Sequence, residues 1–180
     1  GLTELAYYSM SFRMLGLPLS VISNNMSKVF FEKASREFEE KRDFRLSFLS
    51  TTLILSAVAI PMVIFLMLIS PALFGVFFGS DWREAGVYVR ILAPMFGIRL
   101  VVTALSPTMT IVNKQNFDFA VQCMFLIGSA VIYVIFKSGN DIHMFLRGIS
   151  ITFAIVYVTY YLMMFKLSKT KKYDGGKRND

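Results

Sequence analysis

Long apolar runs broken by short polar punctuation set the pattern of this chain. No charged side chain occurs from Leu46 to Ser80, and none from Gly148 to Phe165. Crossing a hydrocarbon core takes roughly 20 apolar residues, range about 17–25. The runs predict five membrane-spanning helices, at about residues 5–31, 47–69, 88–112, 117–136 and 144–165. The first is the least apolar of the five and falls below a strict hydropathy cut-off. Gly79-Ser80-Asp81, Asn113-Lys114-Gln115-Asn116 and Ser138-Gly139-Asn140-Asp141 are turn-forming breaks between spans. Glu32–Arg45 reads as a charged loop, and Phe74–Gly79, after Pro71, as an interfacial extension of the second span. The predicted fold class is all-α, a polytopic transmembrane helix bundle of about five spans. It occupies residues 1–166, followed over 167–180 by a basic tail whose composition predicts a disordered, solvated end.

Composition agrees with a membrane protein. The chain is 55% hydrophobic and only 17% charged, where globular domains average about 25% charged. The net charge of +7 then needs a place, and the loops supply it. Thirteen of the 19 Lys and Arg fall on one predicted side: Lys28, Lys33, Arg36, Lys41, Arg42, Arg45, Lys114 and the six after Phe165. Arg83, Arg90, Lys137 and Arg147 fall on the other, and Arg13 and Arg99 lie within spans. Positive residues concentrate in cytoplasmic loops, so the Glu32–Arg45 stretch and the C-terminus are expected in the cytoplasm. The charge is a topology signal, no nucleic-acid partner is expected, and the tail is placed to meet anionic membrane lipids. The chain begins at Gly1, a few residues before a span, which suggests the C-terminal part of a longer transporter.

Two spans carry polar stripes. Taking about 100° per residue, Arg99, Thr103, Ser106 and Thr110 share a narrow face of the third span, with Asn113 beyond them. A charge at bilayer depth costs roughly 2.5–3.5 kcal/mol on insertion scales. Such a face turns to water, a partner or an anionic ligand rather than to lipid. The first span lines up Ser9, Arg13, Gly16, Ser20, Asn24 and Ser27, interrupted at Pro18. Gly16, Ser20 and Ser27 suit close helix packing; Arg13 and Asn24 suit a cavity. Arg90 lies near the outer end of its span and points away from Arg99, while Arg147 can snorkel or meet a head group. Asp118 suits a helix N-terminus, His143 an interfacial surface, Trp82, Tyr88 and Tyr157 a packing role, and Cys123 the interior. Pro61, Pro94, Gly97 and Pro107 are where bending is cheapest.

Two stretches carry a resemblance. FRMLGLPLSVISNNMSKVFF (Phe12–Phe31) and LFGVFFGSDWREAGVYVRILAPMFGIRLVVTALSP (Leu73–Pro107) resemble the C-terminal half of bacterial lipid-linked oligosaccharide and polysaccharide (O-antigen-type) flippases. These belong to the multidrug/oligosaccharidyl-lipid/polysaccharide exporter superfamily. The cues are LPLSVIS leading into a helix that ends in VFF, and an FG-x-x-W-x-x-AG hinge followed by a Tyr-x-x-x-LAP helix. The likeness covers about residues 5–120; the last two spans match in hydropathy only. It implies two six-helix bundles around a cavity opening alternately to each side, this chain supplying part of the second bundle and the N-terminal half of the transporter supplying the other. It implies the bacterial inner membrane, and as cargo an anionic undecaprenyl-diphosphate-linked oligosaccharide. The substrate-binding candidates are Arg99 and Arg13 for the diphosphate, helped by Arg90 and Arg147, with Asn24, Thr103 and Ser106 for sugar hydroxyls or water.

Other classes are less consistent with the residues. An enzyme of polysaccharide assembly needs an acid, a base or a metal loop. The predicted outer loops hold only Asp81, Glu84 and Asp141, and the single His143 stands without a ligand cluster or a Gly-rich phosphate cradle. No catalytic residue, metal or cofactor is expected. An exporter of cationic drugs would place acids in its spans, and this chain places bases there.

Overall fold

The computed structural model describes residues 2–136 and 141–169. Six α-helices follow in order: α1 (Leu2–Lys41), α2 (Arg45–Phe78), α3 (Arg83–Leu105), α4 (Thr108–Ile111), α5 (Asn116–Phe136) and α6 (Ile142–Leu167), with a 3-10 turn at Ser80–Trp82. Among the described residues there is no strand, only an isolated antiparallel bridge between Asp43 and Lys169. Four stretches are long and apolar enough to cross a membrane: Arg45–Phe78, Ser80–Ile111, Asn116–Phe136 and Ile142–Leu167. The 40-residue α1 packs beside α3 as the fifth long helix of the bundle, its polar stripe keeping it outside the hydropathy criterion.

α3 is the centre. In its most apolar stretch 67% of residues are buried, against 0% in α5. A helix surrounded by helices needs its crossings held, and serines from three neighbours hold them. Ser11 of α1 shares its hydroxyl hydrogen between the Tyr7 carbonyl of its own helix at 2.7 Å and the Ala85 carbonyl at 2.8 Å, Ser70 of α2 donates to Gly86 at 2.8 Å, and Ser150 of α6 to Ile91 at 3.1 Å. Each takes up a carbonyl lone pair that lipid could not satisfy. Gly86 permits the α2 crossing: a Cβ there would lie 2.5 Å from Pro71 Cα and from the Ser70 carbonyl oxygen.

Two expectations change. Glu32–Arg45 is not a loop, since α1 continues to Lys41 and only Arg42–Phe44 turn the chain. Its Glu, Lys, Arg and Ala residues are strong helix formers, and one face is apolar: Ala34 is buried and Phe38 meets Phe44 edge-on at 5.8 Å. Arg42, at φ 55°, ends the helix with its N–H donating to the Phe38 carbonyl at 2.9 Å. The third span is not one continuous helix either. Pro107 lacks an N–H, α3 stops at Leu105, and Ser106 N–H and Oγ both donate to the Thr103 carbonyl at 3.3 and 2.9 Å. Thr110 and Asn113 lie beyond this break and are exposed. Phe74–Phe78 does extend the second span, as a helix running straight out of it.

Side chains also join the opposite end of the bundle from Arg42. Glu84 meets His143 (Oε1 to Nε2, 2.9 Å). Tyr88 packs edge-on to His143 and to Tyr7, and Tyr7 to Trp82. These contacts join the starts of α1, α3 and α6. At the Arg42 end, the Phe44 N–H donates to the Ser168 carbonyl at 3.3 Å. The α1–α2 turn and the end of α6 thus sit together at one end of the bundle. Asp141 opens α6 as an N-cap, accepting from the His143 and Met144 amides. The rest of the Ser138–Asp141 break, Lys137 and the tail from 170 lie outside the described residues.

Candidate functional site: a cationic cavity between α1 and α3

α1 and α3 pack along most of α3 and leave a cavity of about 160 Å³ between them. α1 lines it with Gly16, Leu19, Ser20, Ser23 and Asn24; α3 lines it with Phe96, Arg99, Leu100 and Thr103. Both sets repeat at three- and four-residue steps, which places each on one helix face. The polar stripes of the two helices thus face one another across a small void.

Arg99 is half-buried at this wall. Its guanidinium lies 5.3 Å from the Phe96 ring centre and 5.7 Å from that of Phe12 on α1. The two rings stand edge to face, 5.1 Å apart. Cation–π contacts offset desolvation by about 0.5–2 kcal/mol, less than an ion pair in a poorly screened site. Among the described residues no carboxylate lies within ion-pair distance of Arg99. A half-buried guanidinium between aromatic rings, with no carboxylate partner among the described residues, can donate charge-assisted hydrogen bonds to an acceptor.

The neighbouring polar groups divide by what their hydrogens already do. Ser20 donates to the Leu17 carbonyl at 2.7 Å, and Ser23 to that of Ser20 at 3.3 Å, so each keeps lone pairs only. The Asn24 amide and the Thr103 hydroxyl make no hydrogen bond among the described residues. Arg99, Asn24 and Thr103 are therefore the free donors of the cavity.

The other sequence candidates lie elsewhere. Arg13, one turn before Gly16 on α1, is exposed and outside the cavity wall. The Ser106 hydroxyl is engaged by the Thr103 carbonyl and helps end α3. Arg90 reaches toward α2, with Nη2 3.5 Å from the Leu68 carbonyl. Arg147 lines an apolar groove of about 250 Å³ between α3 and α6, with Pro94, Met95 and Ser150. Ser23, Phe12 and Phe96 escaped sequence reasoning. Ser23 lies at the edge of the α1 stripe, and an aromatic pair around a cation has no signature in hydropathy. Gly16 and Ser20, which suited helix packing, line the cavity. Asp118, in the first turn of α5, accepts a hydrogen bond from the Tyr160 hydroxyl of α6. Among the described residues no three His, Cys, Asp or Glu side chains come together as a metal site.

Fold and site define a polytopic helical membrane protein with a half-buried arginine that has no carboxylate partner among the described residues. Residues 1–87, just under half of the chain, match the family described as polysaccharide biosynthesis protein. The match covers α1, α2 and the start of α3, including Asn24, and stops short of Arg99. It supports a role in polysaccharide biosynthesis or export. Comparison with curated proteins and with solved structures gives no match.

Proposed function

We propose that this chain is part of the C-terminal bundle of an alternating-access flippase. Its cargo is an undecaprenyl-diphosphate-linked oligosaccharide, moved to the outer leaflet of the bacterial inner membrane for cell-surface polysaccharide. The observation that carries the reading is Arg99, half-buried, without a carboxylate partner, beside the free donors of Asn24 and Thr103. A diphosphate is a dianionic acceptor able to take charge-assisted hydrogen bonds from all three. The match to a polysaccharide biosynthesis family over residues 1–87 supports the cargo class. Arg13, exposed one turn away on α1, is placed to meet the anion before or after Arg99 does; Arg90 and Arg147 act at the surface. Transport proceeds by rocking of this bundle against the N-terminal half of the transporter. The protein moves its substrate without chemical change, and needs no cofactor. The α1–α2 turn and the end of α6 share one end of the bundle, and the excess of positive residues there supports a cytoplasmic C-terminus.

The test is export in cells whose own copy has been deleted. Arg99→Ala abolishes surface polysaccharide while the protein remains in the membrane, and Arg99→Lys restores part, keeping the charge but not the planar fork. Complete lipid-linked repeat units accumulate on the inner leaflet. Normal export by the alanine variant at wild-type abundance would refute the assignment.

A further inference from the structure

A second polar site lies at the end of the bundle where α1 turns into α2. A groove of about 560 Å³ there is lined by Glu37, Lys41, Asp43, Arg45, Leu46 and Leu49. It holds two cations and two carboxylates, yet no ion pair forms among them. Each carboxylate is half engaged. Glu37 Oε2 accepts from the Ser47 amide at 3.3 Å, and Asp43 Oδ1 from the Arg45 amide at 2.9 Å. Glu37 Oε1 and Asp43 Oδ2 make no hydrogen bond among the described residues. Arg45 Nε is buried with no acceptor among the described residues, its guanidinium held 4.5 Å from the Phe165 ring centre. A buried donor without a partner is expensive and marks where an acceptor is missing.

The groove opens onto an apolar track. Leu46, Leu49 and Leu53 follow one face of α2 and are 74%, 40% and 70% exposed. Head-group chemistry at one end and a leucine stripe running toward the membrane interior match a lipid lying along α2. The balance of charge selects the head. A purely anionic head group would satisfy Lys41 and Arg45 but would face two carboxylates. A head carrying both a phosphate and a primary ammonium satisfies all four.

We infer that this groove is a binding site for an aminophospholipid of the phosphatidylethanolamine type. Its phosphate takes hydrogen bonds from Arg45 and Lys41, its ammonium donates to the free oxygens of Glu37 and Asp43, and an acyl chain follows Leu46, Leu49 and Leu53. Phosphatidylcholine lacks the N–H donors, and phosphatidylglycerol lacks the ammonium. The site stands apart from the Arg99 cavity and does not depend on the transport reading.

The experiment is native mass spectrometry of the full chain released from nanodiscs of equimolar phosphatidylethanolamine, phosphatidylcholine and phosphatidylglycerol. Charge-assisted hydrogen bonds predict retention of phosphatidylethanolamine over phosphatidylcholine by about tenfold. The double variant Glu37→Gln, Asp43→Asn keeps acceptors for the Ser47 and Arg45 amides but loses the preference over phosphatidylcholine. The double variant Lys41→Gln, Arg45→Gln loses retention of all three lipids. Should that pair fail to fold, Lys41→Gln alone, at an exposed position, lowers retention. Lys33→Gln, outside the groove, changes nothing. Equal retention of the three lipids, preference for phosphatidylglycerol, or a phosphatidylethanolamine preference that survives both double variants would overturn the inference.

Discussion

The two sides of α3 are built on opposite principles. Toward α2 the contact is apolar: a Cβ on Gly86 would strike the Pro71 and Ser70 backbone at 2.5 Å, one on Gly97 the Val63 side chain at 2.5 Å, and the groove of about 350 Å³ beside Gly97 is lined by Ala59, Ile60, Val63, Ile98 and Val101. Toward α1, Phe96, Arg99 and Thr103 line a smaller cavity of about 160 Å³ around a charge with no carboxylate partner among the described residues. One side closes at Gly86 and is apolar along its length; the other keeps donors free. Ser11, Ser70 and Ser150 anchor the same helix to three neighbours, which allows the cavity to persist without collapsing. The lesson is that the rigid side positions the polar one.

The largest effect is expected where backbone meets backbone. Gly86→Leu cannot be relieved by a side-chain rotation, and overpacking of this kind costs about 1–3 kcal/mol or more. Folded protein in detergent should fall sharply, with a lowered thermal midpoint. Gly97→Ala should destabilise less, because the obstacle is a side chain, and Val63→Ala should restore it. Failure of that rescue would show that the α2 side is not a steric seam.

The polar side should respond in the reverse sense. Arg99→Ala removes a half-buried charge without a counter-charge, so the thermal midpoint should stay level or rise while export is lost. A large loss of stability would make Arg99 a structural residue and erase the contrast. Phe12→Leu and Phe96→Leu should reduce export with Arg99 present, and Phe12→Tyr should retain most of it, since the ring face remains.

The serine anchors come next. Ser11→Ala and Ser70→Ala should each cost about 0.5–1.5 kcal/mol in unfolding assays, and their double variant should depart from the sum, because the two acceptors, Ala85 and Gly86, are consecutive carbonyls of α3. The smallest change is expected from Asp81→Asn with Glu84→Gln at the far end of the bundle. The Glu84–His143 pair is part-exposed and such pairs contribute about 0–1 kcal/mol, so export should continue at a substantial level. Its near-total loss would favour chemistry at these acids over transport.

Much of this was legible in one dimension. The apolar runs announced the helices because lipid leaves a backbone no other partner than itself, and the stripe containing Arg99 announced a polar face because a charge must be hidden from lipid. What hydropathy misread were places where another force ruled. Glu32–Lys41 looked like a loop because it is charged, but helix propensity and the buried Ala34 face keep it helical. Thr110 and Asn113 looked like members of the Arg99 stripe because periodicity presumes an unbroken helix, which Pro107 ends.

The sequence by itself determined the class, the number of long helices and the presence of two polar stripes, because these follow from local periodicity and from the cost of placing polar groups in lipid. Only the tertiary structure decided which stripe residues meet. It brought Asn24 of α1 to the face of Arg99 and Thr103, and left Arg13 and Arg147 outside that cavity. It also gave Arg99 two aromatic rings and no carboxylate. Those outcomes depend on how α1 and α6 cross α3, where the Ser11 and Ser150 hydroxyls reach carbonyls 74 and 59 positions away in the chain, and no local pattern encodes a contact at that separation.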